Sequence, residues 1–304
     1  TGACKNQHAN CAYWALLGEC DKNVAYMQRN CAPVCKTCDQ SSVETRCPVD
    51  PEKFPDAWKP GSLDEFFLNI TTLPQNQKFE PLVLSRPAYL DGDTEETADY
   101  DVGPWVVTLD KFVTEEEADR LIQLGDNEGY QRSSDVGKMK PDGTFESNVN
   151  NGRTSTNAWC QNDCYEDDLA QSVIQRINSI TNIPETNSEY LQLLKYEPGQ
   201  YYQTHHDYIA HQRDRQQGVR LLTVFLYLND VEAGGGTDFP TLGITVQPKK
   251  GRALIWPSVL DDKPHDKDYR TEHQALAVEK GIKYGANAWI HMRDFKGPNR
   301  NGCQ

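Results

Sequence analysis

Arg220-Leu-Leu-Thr-Val-Phe-Leu-Tyr-Leu-Asn-Asp230 is the stretch on which the fold turns. Within it, Leu221–Asn229 reads as a strand: a short apolar run with β-branched and aromatic members, bounded by polar residues. Other short strands surround it in sequence, at Tyr190–Tyr196, Ile244–Gln247, Ala253–Trp256, Gln274–Val278 and Ala286–His291, with Trp105–Leu109 upstream. Two helices precede most of them. Thr114-Glu-Glu-Glu117 supplies an N-cap and first-turn acids for a helix running to Gly125. Leu169, Val173, Ile174, Ile177 and Ile180 recur at helical spacing, and Pro184 ends that element. Two helices followed by many short strands predict an α+β, mainly β chain, with helices packed on one side of an antiparallel sandwich or jelly roll.

Composition narrows the possible functions. The 304 residues suggest about two domains, and the formal charge is −14. A phosphate backbone would repel such a chain, and no basic stripe with interleaved aromatics is present, so no nucleic acid is expected. No run reaches the roughly 18 apolar residues of a membrane span. The sequence opens at Thr1-Gly2 with no apolar leader, so a targeting segment is expected to be absent or already removed. There are ten cysteines, and Cys4, Cys11, Cys20, Cys31, Cys35 and Cys38 crowd the first 38 residues. Such density means disulfides or zinc. Cys35-Lys-Thr-Cys38 is ligand-like, but no second close Cys/His pair completes a tetrahedral site, so disulfides are the reading. They imply the secretory lumen (endoplasmic reticulum or Golgi) or the outside of the cell. The sequon Asn69-Ile70-Thr71 agrees, with Asn69 as a glycosylation site.

Residues 1–38 are too few for a core of their own and form a small disulfide-rich domain. Residues 39–103 are punctuated by prolines and read as a linker packed on the surface of the next domain. Within it, Leu63-Asp-Glu-Phe-Phe-Leu68 could form a helical turn, and Asp91 to Asp101 is an acid-rich loop. Residues 104–297 are the globular domain, and 298–304 a C-terminal tail. Of the other cysteines, Cys160 is expected to bridge to Cys164, and Cys47 to Cys303. The three-residue gap in Cys160-Gln-Asn-Asp-Cys164 is not the CxxC spacing of redox proteins.

Six of the seven histidines lie between residues 205 and 291. His205-His206-Asp207 puts a His and a carboxylate two apart, on the same side of a strand, and His273 lies on another predicted strand. Two His and one carboxylate leave three metal positions open on one face, the arrangement non-haem Fe(II) oxygenases use. An HxD triplet alone is as well read as a surface hydrogen-bonding pair.

Further motifs decide between those readings. Tyr196-Glu-Pro-Gly-Gln-Tyr-Tyr-Gln-Thr-His-His-Asp-Tyr208, Arg220–Asp230, Gly234-Gly-Gly-Thr237, Pro248-Lys-Lys-Gly-Arg-Ala-Leu254, His273 and Lys283 follow in one order. From about Gly103 to Phe295 the chain resembles the prolyl 4-hydroxylase family of Fe(II)/2-oxoglutarate dioxygenases, the algal and plant type in particular. The resemblance implies a double-stranded β-helix (jelly-roll) catalytic domain with flanking helices over residues 104–297. It implies Fe(II), 2-oxoglutarate and O2 as cofactors, with ascorbate as reductant. It assigns His205, Asp207 and His273 as metal ligands, with His206 pointing away. Lys283 matches the base that holds the distal carboxylate of 2-oxoglutarate. A buried carboxylate needs such a charge, and the lysine is expected on a strand neighbouring the metal strands. Tyr196 and Thr237, and Tyr227 on the inner sheet, match hydroxyls around the cosubstrate. The family usually has Gly-Gly-Glu-Thr where Gly236 stands here; no ligand is lost.

The cysteine spacing of residues 4–38 resembles the ShK toxin-like (ShKT) module. Six cysteines allow many pairings; the family pattern implies Cys4–Cys38, Cys11–Cys31 and Cys20–Cys35. Family toxins block channels with a Lys-Tyr pair. Here those positions read Ala25-Tyr26, so an accessory binding or anchoring module with an unassigned partner is expected.

The implied substrate is a proline-rich peptide or protein in polyproline II form, whose exposed backbone a groove of aromatics and donors can grip. Arg153, Ser155, Glu189, Tyr202, Arg220, Trp289 and His291 match the family's groove. Tyr202 and Trp289 are expected to flank the proline ring, and the Arg153 loop to close over substrate. Two other functions compete with this one. A 2-oxoglutarate oxygenase acting on another residue or a small molecule would keep the metal set and Lys283 without the groove. A non-catalytic extracellular binding protein would be expected to have lost a ligand or Lys283, and neither is lost.

Overall fold

The computed structural model describes residues 4–40, 42–50, 52–87, 101–139 and 145–303. Of the acid-rich loop only Asp101 falls among them. The strand read from the opening motif is Arg220–Tyr227, at the centre of a nine-stranded sheet. Ala253–Pro257 and Lys283–His291 pair with it antiparallel on either side. Every residue from Leu221 to Tyr227 is buried. Leu222, Val224 and Leu226 belong to one core, while Phe225 and Tyr227 belong to another. Alternation along the strand therefore buries both faces, which is why the sequence is apolar almost throughout.

The first core lies between this sheet and the helices Glu115–Glu128 and Asp168–Thr181, which contribute Ala118, Leu121, Val173 and Ile177. The second lies between it and a four-stranded sheet of Ile244–Val246, Thr237–Phe239, His273–Ala275 and Tyr202–His205, in that order. The result is the expected jelly roll with helices on one outer face. One predicted strand divides: Gln274–Val278 is occupied by His273–Ala275 and by Val278–Lys280, which leaves to pair with Ala233–Gly234.

The proline-rich segment is more than a surface strap. Its apolar cluster grows into the helix Leu63–Thr72, whose Leu63, Phe67 and Ile70 recur at helical spacing and enter the first core. Phe67 stacks on Trp105 at 5.3 Å, and Trp105 Nε1 donates to Asp64 at 2.7 Å. Strand Pro81–Arg86 then pairs with Val106–Leu109. Asn69 is exposed on this helix.

Near the N-terminus, short helices are joined by Cys4–Cys38, Cys11–Cys31 and Cys20–Cys35 around a small core of Cys11, Met27 and Cys31. Tyr26 packs edge-on against Trp14 at 5.6 Å. Two further disulfides join Cys160–Cys164 and Cys47–Cys303.

A buried ion pair locks the two long helices together. Glu117 forms the capping box with Thr114 and accepts from both terminal nitrogens of Arg176, at 2.6 and 2.7 Å, and from Ser172 at 2.9 Å. Burial alone would raise this carboxyl; these donors outweigh it and hold Glu117 at about 2. Glu117→Gln is expected to cost about 3 kcal/mol at neutral pH, because Arg176 loses its partner. The contribution is complete above the ordinary carboxyl value of 4.5 and is lost as pH falls toward about 2. Denaturant midpoints of the two proteins should therefore converge in acid. A gap that stays constant to about pH 2 would contradict this account of the pair.

Candidate active site

His205 and His273 are direct cross-strand partners in the small sheet, with ring centroids 4.3 Å apart. Asp207 lies just past the strand rather than on it, since Tyr202–His205 ends first. The chain bends there because the His206 ring turns away, accepting from Tyr208 N at 2.8 Å and bonding Asp268 O at 2.8 Å. Asp207 swings inward instead, and its Oδ2 accepts from Thr223 Oγ1 at 2.6 Å. Its two oxygens lie 3.9 Å from His205 Nε2 and 3.7 Å from His273 Nε2. One donor atom from each of the three residues lies within 4.8 Å of the others, a group that could hold a metal ion.

The surroundings put these groups in ligating form. His205 Nδ1 bonds Gln203 O at 2.8 Å and His273 Nδ1 bonds Thr271 O at 3.0 Å. A carbonyl only accepts, so each bond puts the proton on Nδ1 and leaves the Nε2 lone pair facing the shared space. Desolvation, with His273 alongside, pulls His205 well below its usual value, so the ring is neutral. Asp207 is pulled the other way: burial would raise it, but His273, His205 and Arg220 outweigh burial and keep it ionised. Two imidazoles and one carboxylate suit a divalent metal with open positions.

Lys283 reaches the same pocket from the large sheet, not from a strand beside the metal strands; it pairs with Tyr196. It is 1% exposed, and its Nζ has no hydrogen-bond partner among the described residues. The ammonium stands 5.2 to 5.5 Å from the rings of Tyr196, Phe225 and Tyr227. Burial pulls it from 10.5 to about 7. Arg252, the other base nearby in sequence, is held by Asp110 at 2.6 Å. Tyr227 OH donates to Thr237 Oγ1 at 2.7 Å on the pocket wall. Gly234 and Gly235 precede that threonine with φ of +76° and +71°. A Cβ on Gly234 would meet Ala277 O at 2.4 Å, and one on Gly235 would crowd the Lys283 stem at 3.3 Å.

The expected groove residues form two clusters. In one, Arg153 lies over the Tyr202 ring at 4.7 Å and donates to Gln192 at 2.9 Å. Tyr202 stacks on His205 at 3.5 Å and donates to Asp135 at 2.8 Å. Ser155 bonds Ser133 at 3.1 Å. In the other, Glu189 bridges Arg220 at 2.6 Å and His291 at 2.8 Å. Burial would raise Glu189, but these two neighbours hold it at about 2. Arg220 in turn covers the Trp289 ring at 3.7 Å. The Arg153 segment is tied down rather than loose, through Thr154 N to Tyr201 O at 2.9 Å and Gln203 N to Gly152 O at 2.7 Å. Arg153 Nε and Trp289 Nε1 are buried donors with no partner among the described residues.

Sequence reasoning did not single out Thr223, Asp135 or Trp159. Thr223 carried a signal, a small polar residue in an otherwise apolar and aromatic run. Asp135 carried none, being one acid among 45. Trp159 reaches toward Trp289, with centroids 6.2 Å apart.

Residues 191–291 match the 2OG-Fe(II) oxygenase superfamily, and residues 3–38 match the ShK domain-like family. The chain is 32% identical to probable prolyl 4-hydroxylase 8 of Arabidopsis thaliana, covering 63% of this chain and 70% of that one. It is 31% identical to prolyl 4-hydroxylase subunit alpha-2 of Gallus gallus, over 68% of this chain but only 38% of the chicken subunit. Among solved structures it is similar to a viral collagen prolyl hydroxylase from Paramecium Bursaria Chlorella virus-1, at 27% identity and a TM-score of 0.49, covering 62% of this chain and 97% of that one. With the His-Asp-His group and Lys283 in one pocket, and with the Arabidopsis relative matched over 70% of its length, this chain belongs to the prolyl 4-hydroxylase family.

Proposed function

We propose that this protein hydroxylates peptidyl proline to 4-hydroxyproline in proline-rich secretory or extracellular proteins. The observation that carries the reading is Lys283, a buried ammonium with no partner among the described residues, in the pocket of a His-Asp-His group. An uncompensated buried charge is costly, and a dicarboxylate that also reaches the metal would compensate it. In this reading His205, Asp207 and His273 hold Fe(II). Lys283 holds the distal carboxylate of 2-oxoglutarate, beside the hydroxyls of Tyr196, Thr237 and Tyr227. When bound, iron and 2-oxoglutarate together supply the oxidising power that puts one atom of O2 into a C–H bond, with succinate and CO2 as coproducts. Thr223 orients Asp207. Tyr202 and Arg153 border the metal on the substrate side.

The unmet donors Arg153 Nε and Trp289 Nε1 favour a peptide. Polyproline II leaves its carbonyls free to accept from such groups. Ascorbate would serve as reductant in turnover. We read residues 1–38 as an accessory module, 39–103 as a segment built partly into the catalytic domain, and 298–304 as a tail. Five disulfides point to an oxidising compartment, the secretory lumen or outside the cell. Among the described residues no helix is long and apolar enough to cross a membrane.

Mass spectrometry of proline-rich peptides incubated with the protein, Fe(II), ascorbate and 2-oxoglutarate tests this. Gain of one oxygen on proline is expected. Oxygen on lysine peptides or small molecules alone would end the prolyl reading and leave the oxygenase reading standing. Trp289→Ala should raise the peptide KM roughly thirtyfold, the worth of a desolvated cation–π contact, because Arg220 loses the ring beneath it. The KM for 2-oxoglutarate should stay near wild type. Equal rises in both constants would count against Trp289 as a groove residue.

A further inference from the structure

Next to the metal pocket is a second cavity of about 420 Å³, and its walls come from parts of the chain far apart in sequence. One wall is Glu189 and Arg220, the second cluster of expected groove residues, and Arg220 is close enough to Asp207 to act on its carboxylate. Another is Phe145, stacked on His211 at 3.7 Å. Trp159 supplies an open aromatic face, 36% exposed. The remaining side is Arg29, from the helix Val24–Asn30 of the cysteine-rich module, together with Gly302.

Arg29 is held in place. Its Nε donates to Ala25 O at 2.7 Å. Its guanidinium lies against Gly302, so close that a Cβ there would come within 3.2 Å of Cζ. Gly302 O accepts from Arg46 at 3.3 Å, Gln216 donates to Pro48 O at 2.8 Å, and Cys47–Cys303 locks the junction covalently. Arg29 pairs with no carboxylate among the described residues.

We propose that the cysteine-rich module completes the peptide channel, with Arg29 as a specificity-determining residue for long, extended, proline-rich substrates. The proposal rests on the prolyl hydroxylase reading for the site at the metal. Polyproline II advances about 3.1 Å per residue and makes no internal hydrogen bonds. A chain leaving the metal past Glu189 and Arg220 therefore carries unbonded carbonyls into this cavity. Arg29 offers donors in a fixed plane to those carbonyls. Trp159 offers a flat ring to the pyrrolidines, the common means of gripping this conformation. The consequence is selection by length: a peptide that spans only the metal pocket gains nothing from the module.

Two peptides test this, one of about 4 residues and one of about 16, roughly 12 and 50 Å long at that rise. Each is assayed with the full chain and with Arg29→Ala and Arg29→Lys, and the long peptide's Kd is read separately from tryptophan fluorescence without iron. The full chain is expected to favour the long peptide in kcat/KM. Arg29→Ala should lower the ratio of long to short kcat/KM about tenfold, the worth of one charge-assisted hydrogen bond. The change should lie in KM, with the iron-free Kd weakened by a similar factor, and Arg29→Lys should recover part of it. An unchanged ratio, or equal losses for both peptides, overturns the proposal. Should neither peptide gain oxygen while the long one still binds in an Arg29-dependent way, the prolyl reading falls and the channel stands.

Discussion

Replacing His273 with alanine is expected to abolish turnover while the protein still folds. The ring is one of three donors to the proposed iron, and two donors are too few to retain Fe(II) at working concentrations. Its loss also leaves Asp207 with one imidazole neighbour instead of two. The cores around the site do not depend on the ring. His273 packs edge-on to Trp256 at 4.7 Å and beside Phe239 at 5.7 Å, but those aromatics also contact each other at 5.4 Å. Truncation should therefore cost only about 1 to 3 kcal/mol. Iron content after desalting, product formation and a melting curve measured on one preparation check all three statements. Normal iron content with full activity would remove His273 from the ligand set.

Lys283→Met should separate stability from function. In the ligand-free protein burial holds the ammonium at about 7 against its ordinary 10.5. A lysine shifted downward destabilises the fold. The penalty is complete below about pH 7 and fades as pH rises toward 10.5. Methionine fills the same space without a charge, so the variant should be more stable than the parent by a few kcal/mol below pH 7, with the gain shrinking in base. Its affinity for 2-oxoglutarate should fall at least about a hundredfold, because the distal carboxylate would be buried alone. In the parent protein that affinity should weaken as pH climbs above about 7, by up to about tenfold per pH unit, since binding then requires proton uptake. The variant should show no such slope. Titration calorimetry in buffers of different ionisation enthalpy measures the uptake directly. A variant that binds 2-oxoglutarate normally would show that another base holds the carboxylate, although Arg252 is engaged with Asp110.

The layers of this fold were legible because burial imposes periods on the sequence. Arg220–Tyr227 is apolar on both faces, and Leu169 to Ile180 repeats at helical spacing, so both elements could be read without their neighbours. The metal group was legible only through several motifs in order, since an HxD triplet by itself predicts little. Contacts between distant segments left weaker traces. The role of Leu63–Thr72 in the core depends on Trp105, over 30 residues on, and a short apolar cluster among prolines does not announce that partner. Lys283 was placed beside the metal strands in prediction, whereas it crosses from the opposite sheet; sequence distance says nothing about which layer a strand joins. Thr223 and Trp159 acquire meaning only from what faces them.

The Cys47–Cys303 bond spans 256 residues of sequence, and this gives the protein an order of manufacture. Synthesis runs from the N-terminus, so the six module cysteines can all pair while most of the chain is still unmade. Cys47 then has no partner for as long as translation of the following residues continues. Its partner arrives among the last of these residues, after every strand of both sheets. Any wrong partner taken in the interval, Cys160 and Cys164 included, must be exchanged before the ends can close. A molecule that takes such a wrong partner thus needs thiol exchange to mature, and truncation just before Cys303 would leave Cys47 without the partner that seals the module to the rest of the chain.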